Sequence, residues 1–162
     1  MATKGRFFEL ASQYRIIHFA THGVLDRDPL ASYLKMAKDP LTVDEITGFS
    51  GLEDKTDLVV LSACETALEA GHSNGDEVIS IASAFATAGA PALVASLWAV
   101  DDAATSELMS EFYRVLQSTP PVDTLEALRQ AQIHVLRFQK DGKRVFAAPG
   151  FWAAFELIGD YR

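Results

Sequence analysis

The sequence predicts an α/β fold with a mainly parallel sheet, and three observations carry that expectation. Apolar runs of buried-strand type occur at Ile16-Ile17-His18-Phe19, Leu58-Val59-Val60-Leu61 and Ala92 to Leu97. Stretches of helical period separate them, so the order reads strand, helix, strand, helix, strand, two helices, strand, the alternation of a layered α/β domain. Glycine and proline punctuate the boundaries, at Gly89-Ala90-Pro91, Pro120-Pro121 and Pro149-Gly150.

Each element has a local reason. Residues 3 to 13 read as a short helix with Thr3 as N-cap and Phe7, Leu10 and Ala11 on one face. The first strand follows at about 15 to 20. Ser32 to Ala37 alternate as a short extended segment, and Thr42-Val43-Asp44-Glu45 has the capping-box spacing that opens a brief helix. Polar residues 47 to 57 return the chain to the second strand. After Cys64 a polar loop, Glu69 to Asp76, precedes a helix at about 76 to 88 that buries Val78, Ile81, Ala82 and Phe85, with Gly89 in the C-cap position. A third strand at 92 to 97 leads to Asp101 or Asp102, either of which can cap the next helix, whose Leu108, Met109, Phe112, Val115 and Leu116 recur at helical spacing. A further helix at about 123 to 139 carries Leu125, Leu128 and Val135 on one stripe, and a last apolar strand runs from Trp152 to Ile158.

Composition bounds the class. The 162 residues are expected to form one domain, 1–162, with a sizeable core, at 49% apolar and 22% charged. A net charge of −8 without a visible Lys/Arg cluster argues against a nucleic-acid surface and suits a basic peptide partner. One cysteine excludes an intramolecular disulfide, and without a signal peptide a reducing cytoplasm is the expected location. Ile79 to Val100 lacks charge over 22 residues, but its alanines, its Ser and Thr and the break at Gly89-Ala90-Pro91 read as buried helix, turn and buried strand; no membrane partner is expected.

Two of the apolar runs end alike. One closes on Thr21-His22-Gly23 and the other on Ser62-Ala63-Cys64-Glu65-Thr66. Strand ends share one edge of a parallel sheet, so these tips can meet although they lie 42 residues apart in the chain. A cysteine in an apolar run is usually a small buried hydrophobe, but Cys64 closes the run instead of sitting inside it. A thiol titrates near ~8.5, and a neighbouring imidazolium lowers that value, so His22 can stabilise a Cys64 thiolate and then protonate a leaving amine. Backbone N–H groups of Gly23 and Cys64 are the natural donors to an oxyanion forming between the tips. His18, four residues earlier, reads as a packed core or sheet histidine, and His72 and His134 as solvated or structural. The histidines and single cysteine lack metal-ligand spacing, so no metal is expected.

Four ordered motifs together resemble the CHAT domain: His-Phe-Ala-Thr-His-Gly, Leu-Val-Val-Leu-Ser-Ala-Cys-Glu-Thr-Ala, Ala-Gly-Ala-Pro-Ala-Leu-Val-Ala-Ser-Leu-Trp-Ala-Val-Asp-Asp and Phe-Trp-Ala-Ala-Phe-Glu-Leu-Ile-Gly-Asp. That family is caspase-like, is related to separases, caspases and gingipains, and is often fused to tetratricopeptide repeats. The resemblance runs from about residue 2 to 160 and implies a three-layer caspase-like sandwich. It also implies His22 as catalytic histidine and Cys64 as nucleophile of a cysteine endopeptidase with no cofactor; the histidine–cysteine spacing is close to the roughly 50 residues of caspases. The caspase signature itself is replaced by Ser-Ala-Cys-Glu-Thr, and the loop reads Asn74-Gly75-Asp76-Glu77-Val78 where the family commonly has Gly-Glu-Gly-Val. Ser96 to Asp102 resembles the separase segment whose aspartate receives arginine; Asp102 aligns best and Asp101 next, with helix capping as the other role for either.

The implied partners are a protein or peptide substrate and a repeat or sensor region in cis or trans. CHAT domains usually carry further strands before the segment that begins this chain, so the resemblance implies an amino-terminally truncated domain, with the edge of the His22 strand unpaired. Two other readings stay open: a catalytically inactive CHAT-like pseudoprotease or interaction module, and a thiol-dependent hydrolase of small substrates on another doubly wound fold.

Overall fold

The computed structural model describes residues 2–26, 28–62, 64–65, 76–118, 120 and 122–160, with the backbone alone at 64–65 and 76–80. In chain order the elements are α1 (Lys4–Leu10), β1 (Ile16–Phe19), β2 (His22–Val24), β3 (Tyr33–Leu34), β4 (Leu41–Thr42), α2 (Val43–Thr47), β5 (Leu58–Leu61) and β6 (Cys64–Glu65). They continue as α3 (Asp76–Thr87), β7 (Ala92–Ser96), α4 (Asp102–Leu116), α5 (Thr124–Arg137), β8 (Gln139–Lys140), β9 (Lys143–Arg144) and β10 (Phe155–Gly159). The main sheet has the order β1-β5-β7-β10. Its first three strands are parallel, and β10 closes it antiparallel to β7. Helices cover both faces, the arrangement of a three-layer sandwich.

The alternation along each strand sorts the core into two layers. Val59 and Leu61 of β5, with Leu93 and Ala95 of β7, join α1 and α3 through Phe7, Ile81, Ala82 and Phe85. Leu58 and Val60, with Ala92 and Val94, face the other way and join α4 and α5 through Leu108, Phe112, Leu128 and Val135. Strands buried on both faces read as continuous apolar runs, which is why β5 and β7 were legible at once.

Local signals were obeyed at most boundaries. Thr42 and Glu45 form the capping box of α2, each side chain bonded to the other's backbone. Thr3 caps α1. Gly89 follows α3 with φ +98°, and a Cβ there would lie 2.9 Å from the Glu53 backbone nitrogen, so only glycine suits the turn. The uncharged stretch 79–100 is indeed helix, turn and strand. No helix among the described residues is long and apolar enough to cross a membrane.

Three details differ from expectation. Residues 11 to 13 tighten into a 3₁₀ turn instead of extending α1. The last strand begins at Phe155, not Trp152, because Pro149 to Phe151 form another such turn, and Trp152 to Ala154 continue it. A second, small sheet of order β4-β3-β2-β6 was not foreseen. The polar loop expected at Glu69 to Asp76 lies outside the described residues except for Asp76, which opens α3, and so do residues 74–75 of the atypical segment.

Candidate active site

The second sheet begins where two strands of the main sheet end. After Phe19 the chain leaves β1, passes Ala20 and Thr21, and pairs again as β2; after Leu61 it passes residues 62–63 and pairs again as β6. These two tips run parallel, with His22 in register with Cys64 and Gly23 with Glu65. The histidine and cysteine tips therefore meet through a backbone ladder. Beyond β2, the antiparallel pairing of Gly23 with Leu34 and Val24 with Tyr33 holds the histidine tip from its other side. Two further bonds brace it: Lys35 N–H donates to the His22 carbonyl at 2.8 Å, and the Thr21 hydroxyl to the Lys35 carbonyl at 2.5 Å. Gly23 is buried, and the His22 side chain is exposed.

Beside the tips lies an open cleft of 390 Å³, lined by His18, Ala20, Thr21, His22, Ser62, Asp102, Thr105, Ser106 and Met109. One wall belongs to the strand tips and the other to the first turns of α4. The two aspartates preceding and opening that helix have separate jobs. Asp101 is its N-cap, its Oδ1 accepting from the N–H groups of Ala103 and Ala104 at 3.0 Å each. Asp102 stands on the cleft. Thr105 Oγ1, on the same wall, is buried and has no hydrogen-bond partner among the described residues.

His18 is the functional candidate that sequence reasoning undervalued. It lies within β1, as expected, but it is not packed in the core: the residue stays solvent-accessible where it lines the cleft, while its ring is partly covered by protein. Its Nε2 is 2.6 Å from Ser62 Oγ and its Nδ1 is 2.9 Å from Tyr113 Oη on α4. Protein packed around the ring pushes its pKa below 6.5, so the imidazole is neutral at neutral pH. Burial also pushes the Tyr113 phenol up to about 12, which keeps its proton in place. The available signal was alternation: Leu58 and Val60 share one side of β5, Ser62 just past its end continues that alternation, and His18 is in register with Val60.

His134 is solvent-facing on α5, 3.5 Å from Glu107. His72 lies outside the described residues. Among the described residues no group of three or more His, Cys, Asp or Glu side chains converges to hold a metal ion.

Comparison with known proteins agrees with this architecture. Tetratricopeptide repeat protein 28 of Mus musculus is 25% identical over 197 residues, an alignment that covers 98% of this chain and 8% of that protein. The chain thus spans a small part of the relative's length. The family pattern described as "CHAT domain" matches residues 2–160, and with nearly the whole length covered, including both paired tips, the chain belongs to the CHAT domain family.

Proposed function

We propose that this chain is a cysteine endopeptidase of the caspase and separase type, with Cys64 as nucleophile and His22 as its proton partner. The observation that supports it most is the parallel backbone register of His22 with Cys64, where His22 lines a cleft that Asp102 lines as well. In this reading the Cys64 thiolate attacks the scissile carbonyl carbon, forming a C–S bond and moving the carbonyl electron pair onto oxygen. Backbone N–H groups at Gly23 and Cys64, one from each tip, receive that oxyanion. The C–N bond then breaks as the His22 imidazolium gives its proton to the leaving amine. A water deprotonated by His22 attacks the acyl-enzyme, the C–S bond breaks, and the thiol is regenerated.

The cleft supports a preference for a basic side chain before the cleaved bond. Asp101 is committed to capping, which leaves Asp102 as the carboxylate able to pair with a guanidinium or ammonium group. The Thr105 hydroxyl, without a partner among the described residues, adds a further hydrogen-bonding group on that wall. The mouse relative's repeats support control by a repeat or sensor region, in the same chain or supplied by another.

The test is labelling by an arginine-based acyloxymethyl ketone, read as intact mass. A single adduct is expected in the native protein and in neither Cys64→Ala nor His22→Ala, and Asp102→Ala should lose the advantage of the arginyl over a leucyl probe. No Cys64-dependent adduct, with or without a repeat partner, would leave an inactive interaction module in place of the enzyme.

A further inference from the structure

We propose that His18 is a positioning residue of this site, tying α4 to both strand tips through Tyr113 and Ser62 and so setting the distance between His22 and Cys64. The inference rests on the reading of those two residues as the catalytic pair. It starts from connectivity. Ser62 lies one residue past the end of β5 and two before Cys64, and Phe19 ends β1 three residues before His22. Ser62 N–H donates to the Phe19 carbonyl at 3.0 Å, and Ser62 Oγ lies 3.3 Å from the same oxygen. His18 Nε2 meets that same Oγ at 2.6 Å, while Nδ1 meets the Tyr113 hydroxyl at 2.9 Å. The polar chain therefore runs from α4 through β1 to β5 and back to β1, at the last rung before both tips depart.

The chemistry of each member suits a fixed link. A neutral imidazole has one donor and one acceptor nitrogen, so it can bridge two hydroxyls without leaving either unsatisfied. The partial covering of its ring favours that neutral form, and Tyr113 keeps its phenolic proton. The Tyr113 ring also packs on the imidazole, with centroids 5.7 Å apart. Phe112 beside Tyr113 is fully buried in the α4–α5 core, so the helix end of the link is anchored in packed side chains. A reacting pair displaced by about 1 Å loses on the order of 100-fold in rate, so a link that fixes the tips has a catalytic consequence without touching substrate.

The test uses the single cysteine of the chain, which makes alkylation by iodoacetamide report on Cys64 alone. Its rate against pH gives the thiolate pKa of the protein, and the arginyl ketone gives the labelling rate. In the native protein the thiolate pKa is expected below the free-thiol value of ~8.5 and to rise in His22→Ala. His18→Phe keeps a ring against Tyr113 but breaks both hydrogen bonds; it should raise the thiolate pKa toward that value and slow labelling about 10- to 100-fold. His18→Gln, which can still reach Ser62, should recover most of both. If His18→Phe does not fold, Tyr113→Phe removes one link only and should shift both readouts in the same direction. A native pH profile and labelling rate in His18→Phe or, failing that, in Tyr113→Phe, beside a perturbed His22→Ala, overturns the role of His18 alone. A native profile that is itself unperturbed and indifferent to His22 overturns the catalytic pair and this inference with it.

Discussion

At the scale of single residues the site depends on which protons are held. The His18 imidazole has its pKa lowered from 6.5 by burial, so the unfolded chain takes up a proton at higher pH than the folded one. The stability tied to neutral His18 is therefore fully present above pH 6.5 and is lost as pH falls through the lowered folded value. His18→Gln should flatten that part of the acid dependence, which urea unfolding at a series of pH values would show. An unchanged slope below pH 6.5 would mean that another group carries it. Sequence reasoning singled out His22 and Cys64 because each closes an apolar run beside polar residues. It undervalued His18 because the hydroxyl partners lie 44 and 95 residues away, on different elements, where no local pattern announces them.

At the scale of the element, α4 matters most, since its first turns form one wall of the cleft. Two adjacent aspartates open it, and sequence alone allowed either to cap or to face substrate. The backbone decides: Asp101 has extended ψ of 131° and points its carboxylate back at two N–H groups, while Asp102 is already helical. Asp101→Ala should cost about 1 kcal/mol of stability, the usual effect of losing an N-cap. That corresponds to a fall of roughly 2–4 °C in Tm for a protein of this size. The preference for an arginyl probe should survive it, whereas Asp102→Ala should do the reverse; differential scanning fluorimetry beside probe labelling separates the two. The long helices and the strands β5 and β7 were legible because burial imposes a period on many residues. The small sheet was not, because β3, β4 and β6 are two residues each and too short to display a period.

At the scale of the molecule, β1 is the end strand of the main sheet, and among the described residues it pairs only with β5. Beside it Tyr14 is 55% exposed and Ile16 37%, on either side of Arg15, which is ion-paired with Asp57. An end strand that presents exposed apolar side chains such as Tyr14 and Ile16 favours association. Sedimentation velocity of the isolated chain should therefore show concentration-dependent self-association, reduced in Ile16→Lys, whose charge opposes edge pairing. Equal sedimentation of the two proteins at every concentration would remove the edge as the cause. Such association would also report on the site, because β1 continues directly into the tip that carries His22.

By itself the sequence determined the layered α/β class, the parallel core strands, most helix boundaries and the two tips where chemistry was expected. These are consequences of burial period and capping, which act over a few neighbouring residues. The tertiary structure alone decided three things: that the tips meet as paired strands with His22 opposite Cys64, that Asp102 and not Asp101 stands on the cleft, and that His18 joins α4 to both tips. Each depends on how far apart two elements sit once the sheet and its helices have packed. Distances of that kind are set by the whole core and are written in no single stretch of the chain.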